Sequence, residues 1–216
     1  MHLFRVLVTS FFVLFSTCAV QALSYRVASL DDGRCGAKRD CALVFVASGE
    51  IERREIETFR TFVGELNQRG AGPRAFVIDS AGGNLAGAFG LGMVLRRIGI
   101  PVIVGTVREG RLAPGFCGSA CIFALMGGRS RQVWPGSVVA VHAPERVPER
   151  DGPDPHEFSG STFASRGQLT KVLADYARVM GVDPALIALT MSVPPETRRV
   201  LTTEEILRFR LAKITK

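Results

Sequence analysis

Several features that would assign the chain quickly are scarce or missing. Its 216 residues include one tryptophan, two tyrosines and three histidines. Beyond residue 22 no apolar run reaches the roughly 20 residues a membrane-spanning helix requires, which argues against a permanent anchor. No phosphate-binding loop motif occurs, which argues against nucleotide chemistry in this chain. Basic residues form scattered pairs (Arg53-Arg54, Arg96-Arg97, Arg198-Arg199) without interleaved aromatics. They read as solvated helix faces, and no nucleic-acid partner is expected. The cysteines lack the short paired knuckles of a four-thiolate zinc site, and neither a metal nor another cofactor is expected. No internal repeat is visible.

What remains is a globular composition, 47% hydrophobic and 22% charged, long enough to bury one core. A single domain over residues 23–216 is expected. Residues 1–22 stand apart from it. Arg5, an apolar run over residues 6–15, and Val20 and Ala22 at leader-peptidase spacing predict a signal peptide cleaved after Ala22, hence a periplasmic or secreted protein. Lipoprotein anchoring at Cys18 fits less well, because Phe15-Ser16-Thr17 is a poor approach to a lipidated cysteine. Losing Arg5 with the leader lowers the formal charge from +7 to +6, enough for weak attraction to an anionic membrane surface.

Export changes how the cysteines read. Cys35, Cys41, Cys117 and Cys121 remain, an even number that favours two disulfides in an oxidising compartment, with local pairing the simplest. Cys35 and Cys41 bracket a short loop. Cys117 and Cys121 can bridge if Cys117 lies just before a helix, since a full turn within a regular helix holds the Cβ atoms too far apart. Buried free thiols, or a metal site completed by a histidine, are the competing readings.

Apolar β-branched runs at 41–49, 74–80 and 101–107 predict buried strands, and helical spacing marks 51–69 and 85–98. A glycine- and proline-bearing loop is expected at 108–118, then a short apolar helix from Ser119 and strands near 131–134 and 137–143. Residues 144–163 form a proline-rich loop or arm. Helices follow over 166–180, from Asp183 as cap, and after the capping box Thr202/Glu205. The alternation of strands and helices predicts an α/β fold with a largely parallel sheet.

Three local features carry chemistry. Ser119 opens an apolar helix, where N–H groups favour negative charge; it reads either as an activated nucleophile or as an ordinary N-cap. The segment is not a hydrolase elbow, because G-x-S-x-G would need glycines where Cys117 and Cys121 stand. His142 ends the strand "SVVAVHAP" and is either a rigidly held base or a hydrogen-bonded edge histidine. "DSAGGN" at 79–84 places two glycines at a strand end, where a turn aims N–H groups into a cleft or simply connects strand to helix.

Together "VIDSAGGNLAG" and "CGSACIFALMGGRSRQVWPGSVVAVHAP" resemble the Clp protease proteolytic subunit family, within the wider Clp/crotonase fold, over about residues 42–144. The resemblance implies repeated strand-helix units around a largely parallel sheet. It implies Ser119 as nucleophile, His142 as general base, and the backbone N–H groups of Gly83 and Ala120 as the oxyanion hole. A bridge between Cys117 and Cys121 would then clamp the turn that presents Ser119.

The chain also departs from that pattern. A triad needs a carboxylate to orient the histidine. The family places an aspartate ahead of a stretch matched here by "VLTTEEI", and that position falls on Arg198. Glu196, two residues earlier, is the candidate substitute; otherwise the site is a Ser-His dyad or has lost catalysis. Lys171 is a further candidate base, as in signal-peptide peptidases of the same broad fold. The proline-rich arm replaces the family's docking handle, so a homo-oligomer is possible without being implied, and no ATPase partner is expected. The resulting expectation is an exported serine peptidase acting on peptides or unfolded protein. The alternative is a catalytically inactive Clp-fold protein that binds a peptide or protein partner; a crotonase-type thioester activity is weaker.

Overall fold

The computed structural model describes residues 21–31, 42–67, 72–144 and 166–215. The expected leader up to residue 20 with Cys18, both Cys35 and Cys41, and the arm from residue 145 with His156 lie outside the described residues. In chain order come strands β1 (Ser24–Leu30) and β2 (Ala42–Ser48), helix α1 (Glu55–Asn67), strand β3 (Ala75–Asp79), helix α2 (Leu85–Ile98) and strand β4 (Val102–Val104). A hairpin of β5 (Thr106–Arg108) and β6 (Arg111–Ala113) leads to β7 (Phe116–Gly118), helix α3 (Cys121–Met126), β8 (Arg131–Val133) and β9 (Val138–Val141). The remainder is α4 (Arg166–Val179), α5 (Ala185–Ser192), β10 (Arg199–Val200), α6 (Thr203–Arg208) and β11 (Lys213–Ile214).

The main sheet has six strands in the order β1-β2-β3-β4-β8-β11. Only β1 runs antiparallel to its neighbour; β2, β3, β4, β8 and β11 pair in parallel, as the alternation of strands and helices predicts. Parallel strands are covered on both faces, which is why their sequences are continuous apolar runs. Phe45, Ala47, Phe76, Ile78, Val102 and Val104 face the helices. Val44, Val46, Val77 and Ile103 face the other way, under Val107, Leu112 and Trp134. Rings of Tyr25, Phe45, Phe59, Phe62 and Phe76 seat α1 on the sheet. A second group, Phe89, Phe123 and Tyr176, ties α2, α3 and α4 together, with the Tyr176 hydroxyl donating to the Phe123 carbonyl at 2.8 Å. Of these rings Phe45, Phe59, Phe76, Phe89 and Phe123 are buried, each stabilising the fold by about 1.5–3 kcal/mol, and Tyr25, Phe62 and Tyr176 are partly buried.

Helix ends follow their local sequence. Asn84 caps α2 by accepting from the Gly87 amide, Asp183 accepts from Ala185 at 2.9 Å ahead of α5, and Thr202 and Glu205 form the expected capping box on α6. Other expectations change. The run at 101–107 is two strands, not one: at Gly105, whose amide donates to Ile78 at 3.0 Å, the chain leaves the main sheet for the β5–β6 hairpin. The stretch 108–118, expected as loop, holds β6 and β7, three-residue strands too short to show periodicity. Among the described residues no helix is long and apolar enough to cross a membrane.

A second sheet, ordered β10-β9-β7, positions the site. Strands β7 and β9 are parallel, β9 and β10 antiparallel. Its inner face, Cys117, Val139, Val141 and Leu201, is buried in the core. A bridge between Ser80 and Cys117 joins it to the end of β3.

Candidate active site

The site forms where β3, β7 and β9 end. The loop after β3 is zipped onto β7: the Ser80 amide donates to Phe116 O at 2.7 Å, Gly118 N donates to Ser80 O at 3.0 Å, and the Phe116 amide donates to the Asp79 carboxylate at 2.9 Å. The buried Ser80 hydroxyl accepts from Gly82 N at 3.1 Å and tightens the turn. Gly82 has φ +111°, and a Cβ there would lie 2.7 Å from both the Gly118 carbonyl oxygen and the Ser119 Cβ. Only glycine lets this loop rest directly on the serine turn. Gly83, with φ +125°, is pressed against Ile51, whose carbonyl oxygen a Cβ would meet at 2.3 Å.

Ser119 differs from its sequence expectation. It does not cap α3: the N-cap is Ala120, with no side-chain cap bond, and Ser119 stands one residue earlier at φ +53°. A residue with a Cβ is disfavoured in this left-handed region by about 1–2 kcal/mol, so the surroundings must hold it there. They do so in three ways. Its amide donates to Ala140 O at 3.0 Å, its carbonyl accepts from Ile122 at 3.3 Å, and a disulfide between Cys117 and Cys121, with Cα atoms 5.3 Å apart, closes a ring around it. The bridge is possible because Cys117 is in a strand and only Cys121 is helical, the arrangement the spacing required. Among the described residues the amides of Gly83 and Ala120 donate to no acceptor. Gly82, the residue before Gly83, ties the two amides together: a Cβ on it would sit 3.0 Å from Ala120 N. Since α3 has only six residues, these single N–H groups, rather than a helix dipole, are the local donors.

His142 follows β9 directly. Gly118 pairs with Ala140 across β7 and β9, and Val141 pairs with Arg199 across β9 and β10. Ser119, His142 and Arg198 therefore stand at three neighbouring strand ends, about 4.8 Å apart per strand step. The His142 ring is half-buried and its Nδ1 lies 2.8 Å from the Ala143 carbonyl oxygen. That oxygen can only accept, so the contact calls for a proton on Nδ1, and in the neutral imidazole this leaves the lone pair on Nε2. Ala143 is itself fixed, its amide donating to Val193 O at 2.9 Å.

The proposed carboxylate is not brought to this histidine. Glu196 is exposed, thrown outward by the turn in which Thr197 N donates to Pro194 O at 3.1 Å, and makes no hydrogen bond to His142. The β9–β10 ladder ends at the pair Val141–Arg199, and Arg198 and His142 adjoin that pair, one on each strand; Arg198 occupies the position where the family resemblance implies aspartate. Lys171 is occupied elsewhere, in an exposed ion pair with Asp175 at 2.6 Å on α4. The Ala143 carbonyl as orienting group had no signal in the sequence, since every residue carries one. Among the described residues no three His, Cys, Asp or Glu side chains are placed to hold a metal ion.

No protein-family model matches the chain, and no curated protein matches it. Solved structures do. A mutant of the 1510-N membrane-bound stomatin-specific protease superposes with a TM-score of 0.53 at 16% identity, covering 79% of this chain and 77% of that one. A second mutant of that protease, in complex with a substrate peptide, gives 0.52 at 18% identity, covering 79% and 73%. A mutant of ClpP1 from Listeria monocytogenes gives 0.50 at 15% identity, covering 77% and 87%. The fold is that of Clp-type proteases, a mixed α/β architecture around a largely parallel sheet.

Proposed function

We propose that this protein is an exported serine peptidase that cleaves peptide bonds in peptides or unfolded segments through an acyl-enzyme on Ser119. The observation that carries the reading is a serine held at φ +53° beside unengaged Gly83 and Ala120 amides and next to a strand-end histidine. Backbone strain of this kind persists where the surroundings over-determine it, and it clusters at active sites.

In this reading His142 Nε2 takes the Ser119 hydroxyl proton as Oγ attacks the scissile carbonyl carbon. The oxyanion forms toward the Gly83 and Ala120 amides, donors that need no reorganisation as charge develops. His142 then returns the proton to the leaving amine, and a water activated by the same nitrogen releases the acyl group. The Ala143 carbonyl fixes the tautomer that a carboxylate fixes in a triad. It supplies no charge to the imidazolium, so turnover is expected to be slow; disabling the carboxylate in a Ser-His-Asp triad costs about 10⁴ in kcat. The leader-like residues 1–22 and the buried disulfide support export to an oxidising compartment.

Arg198, at the position where the resemblance implies aspartate, favours a second reading, a silent Clp-fold protein that binds a peptide or protein partner in the same place. Fluorophosphonate labelling of the full chain separates the two. The peptidase reading expects labelling on Ser119 that disappears in Ser119→Ala and in His142→Ala. A folded wild-type chain that never labels refutes it and leaves the binder.

A further inference from the structure

The Cys117–Cys121 bridge closes a five-residue loop, Cys117 to Cys121, and the residue at its centre, Ser119, is held at φ +53°. Apart from the bridge, the Ser119 backbone is held by two hydrogen bonds, one of them 3.3 Å long. Cys117 and Cys121 are both 0% exposed. Exchange of a disulfide needs a thiolate to reach one of its sulfurs, so a bridge this buried is closed to small thiols once the chain has folded around it.

We infer that the Cys117–Cys121 disulfide is the positioning device for Ser119 and that it arms the site once, at folding. A chain that folds with reduced thiols keeps the scaffold and lacks the serine geometry; a chain that folds oxidised is active and stays so. The inference rests on the peptidase reading and adds its regulation. Bridge formation transfers two electrons and two protons from the two thiols to a disulfide oxidant such as oxidised glutathione, which leaves as two thiols. A peptidase made in a reducing compartment would thus be harmless there and become competent only where such an oxidant is present.

The physical reason is conformational. A residue with a Cβ populates the left-handed region about tenfold less than the ordinary helical one. Without the ring, Ser119 can relax out of it, moving its Oγ and the Ala120 amide from the positions that the peptidase reading requires. Thiols at 117 and 121 still fill the core, so the fold itself need not change.

The test uses the full chain carrying Cys18→Ser, Cys35→Ser and Cys41→Ser, leaving Cys117 and Cys121 as the only cysteines. It is refolded either with oxidised glutathione or under reductant, and both samples are checked by far-UV circular dichroism and thermal unfolding. Fluorophosphonate labelling of Ser119 is expected to be at least tenfold faster in the oxidised sample. Adding reductant after oxidised folding is expected to leave that rate unchanged until the chain is unfolded. Equal rates in two folded samples overturn the positioning role, and rapid loss of labelling on adding reductant overturns its one-time character. Should the reduced chain not fold, Cys117→Ala/Cys121→Ala serves as the bridge-free sample. Should neither state label, the peptidase reading fails. Amide hydrogen exchange over residues 119–122 then decides the clamp alone, with faster exchange in the bridge-free chain expected and equal exchange refuting it.

Discussion

Replacing Gly82 by alanine tests the geometry of the site with a single carbon atom. At φ +111° an added Cβ would meet the Gly118 carbonyl oxygen and the Ser119 Cβ at 2.7 Å, and Ala120 N at 3.0 Å. Ordinary contact begins at 3.4 Å, so the loop and the serine turn must separate by roughly 0.7 Å. Two of the obstructing atoms are backbone, and the third belongs to a residue fixed by a disulfide and two hydrogen bonds, so no flexible side chain can yield. The backbone strain alone is of order 1–3 kcal/mol. A displacement approaching 1 Å costs on the order of 10²-fold in reactivity when reacting groups must be in register. Gly99→Ala is the control: Gly99 also has positive φ, +69°, with nothing within 4 Å of its Cβ position. It is expected to lose about 1 kcal/mol of stability and no reactivity. The assay is the fluorophosphonate labelling rate alongside urea unfolding. The expected result is a 10- to 100-fold slower rate for Gly82→Ala and an unchanged rate for Gly99→Ala. Wild-type labelling by a folded Gly82→Ala chain would refute the placement of the glycine loop on the serine turn.

Ser119→Gly removes the Cβ from a left-handed residue, and an increase of about 1 kcal/mol in unfolding free energy is expected together with complete loss of labelling; a destabilised variant would contradict the strain at this position. Arg198→Asp puts a carboxylate at the end of the ladder that His142 adjoins and is expected to raise the labelling rate about tenfold, read against Arg198→Ala, which lacks the acceptor. A hydrogen bond from the Thr202 amide, aided by the Arg199 guanidinium, holds the Glu205 carboxyl below the usual glutamate range. The stability it adds is present above the unfolded pKa and is lost as pH falls through the lowered folded value. Unfolding curves of wild type and Glu205→Gln should therefore differ at neutral pH and converge in acid. Burial raises the Glu55 carboxyl pKa against the opposing hydrogen bond from Tyr25. Its contribution has the opposite sign, greatest below the unfolded pKa and lost as pH rises through the raised value, a slope that Glu55→Gln should remove.

Much of this protein is written locally. Continuous apolar runs marked β2, β3 and β9, because strands buried on both faces leave no polar positions. The capping box at Thr202 and Glu205 was visible because both partners lie within one turn. The order of the glycine pair, Ser119 and His142 was enough to suggest the fold. Local pattern failed where structure depends on distant partners: Gly105 ends one strand and begins another only because two separate sheets claim its neighbours, and β11 exists only because β8 has a free edge.

At the site the division is sharper. The sequence by itself determined which groups are present: a serine between two cysteines, a strand-end histidine, two adjacent glycines, and an arginine where a carboxylate was sought. The tertiary structure decided what each can do. It set Ser119 outside the helix at positive φ, pressed Gly82 against it, turned Glu196 to solvent and brought Arg198 to the end of the ladder that His142 adjoins. It also gave the imidazole a backbone carbonyl as its partner. The physical reason is that strain, register and backbone acceptors belong to relations between segments far apart in the chain, and no residue type records them.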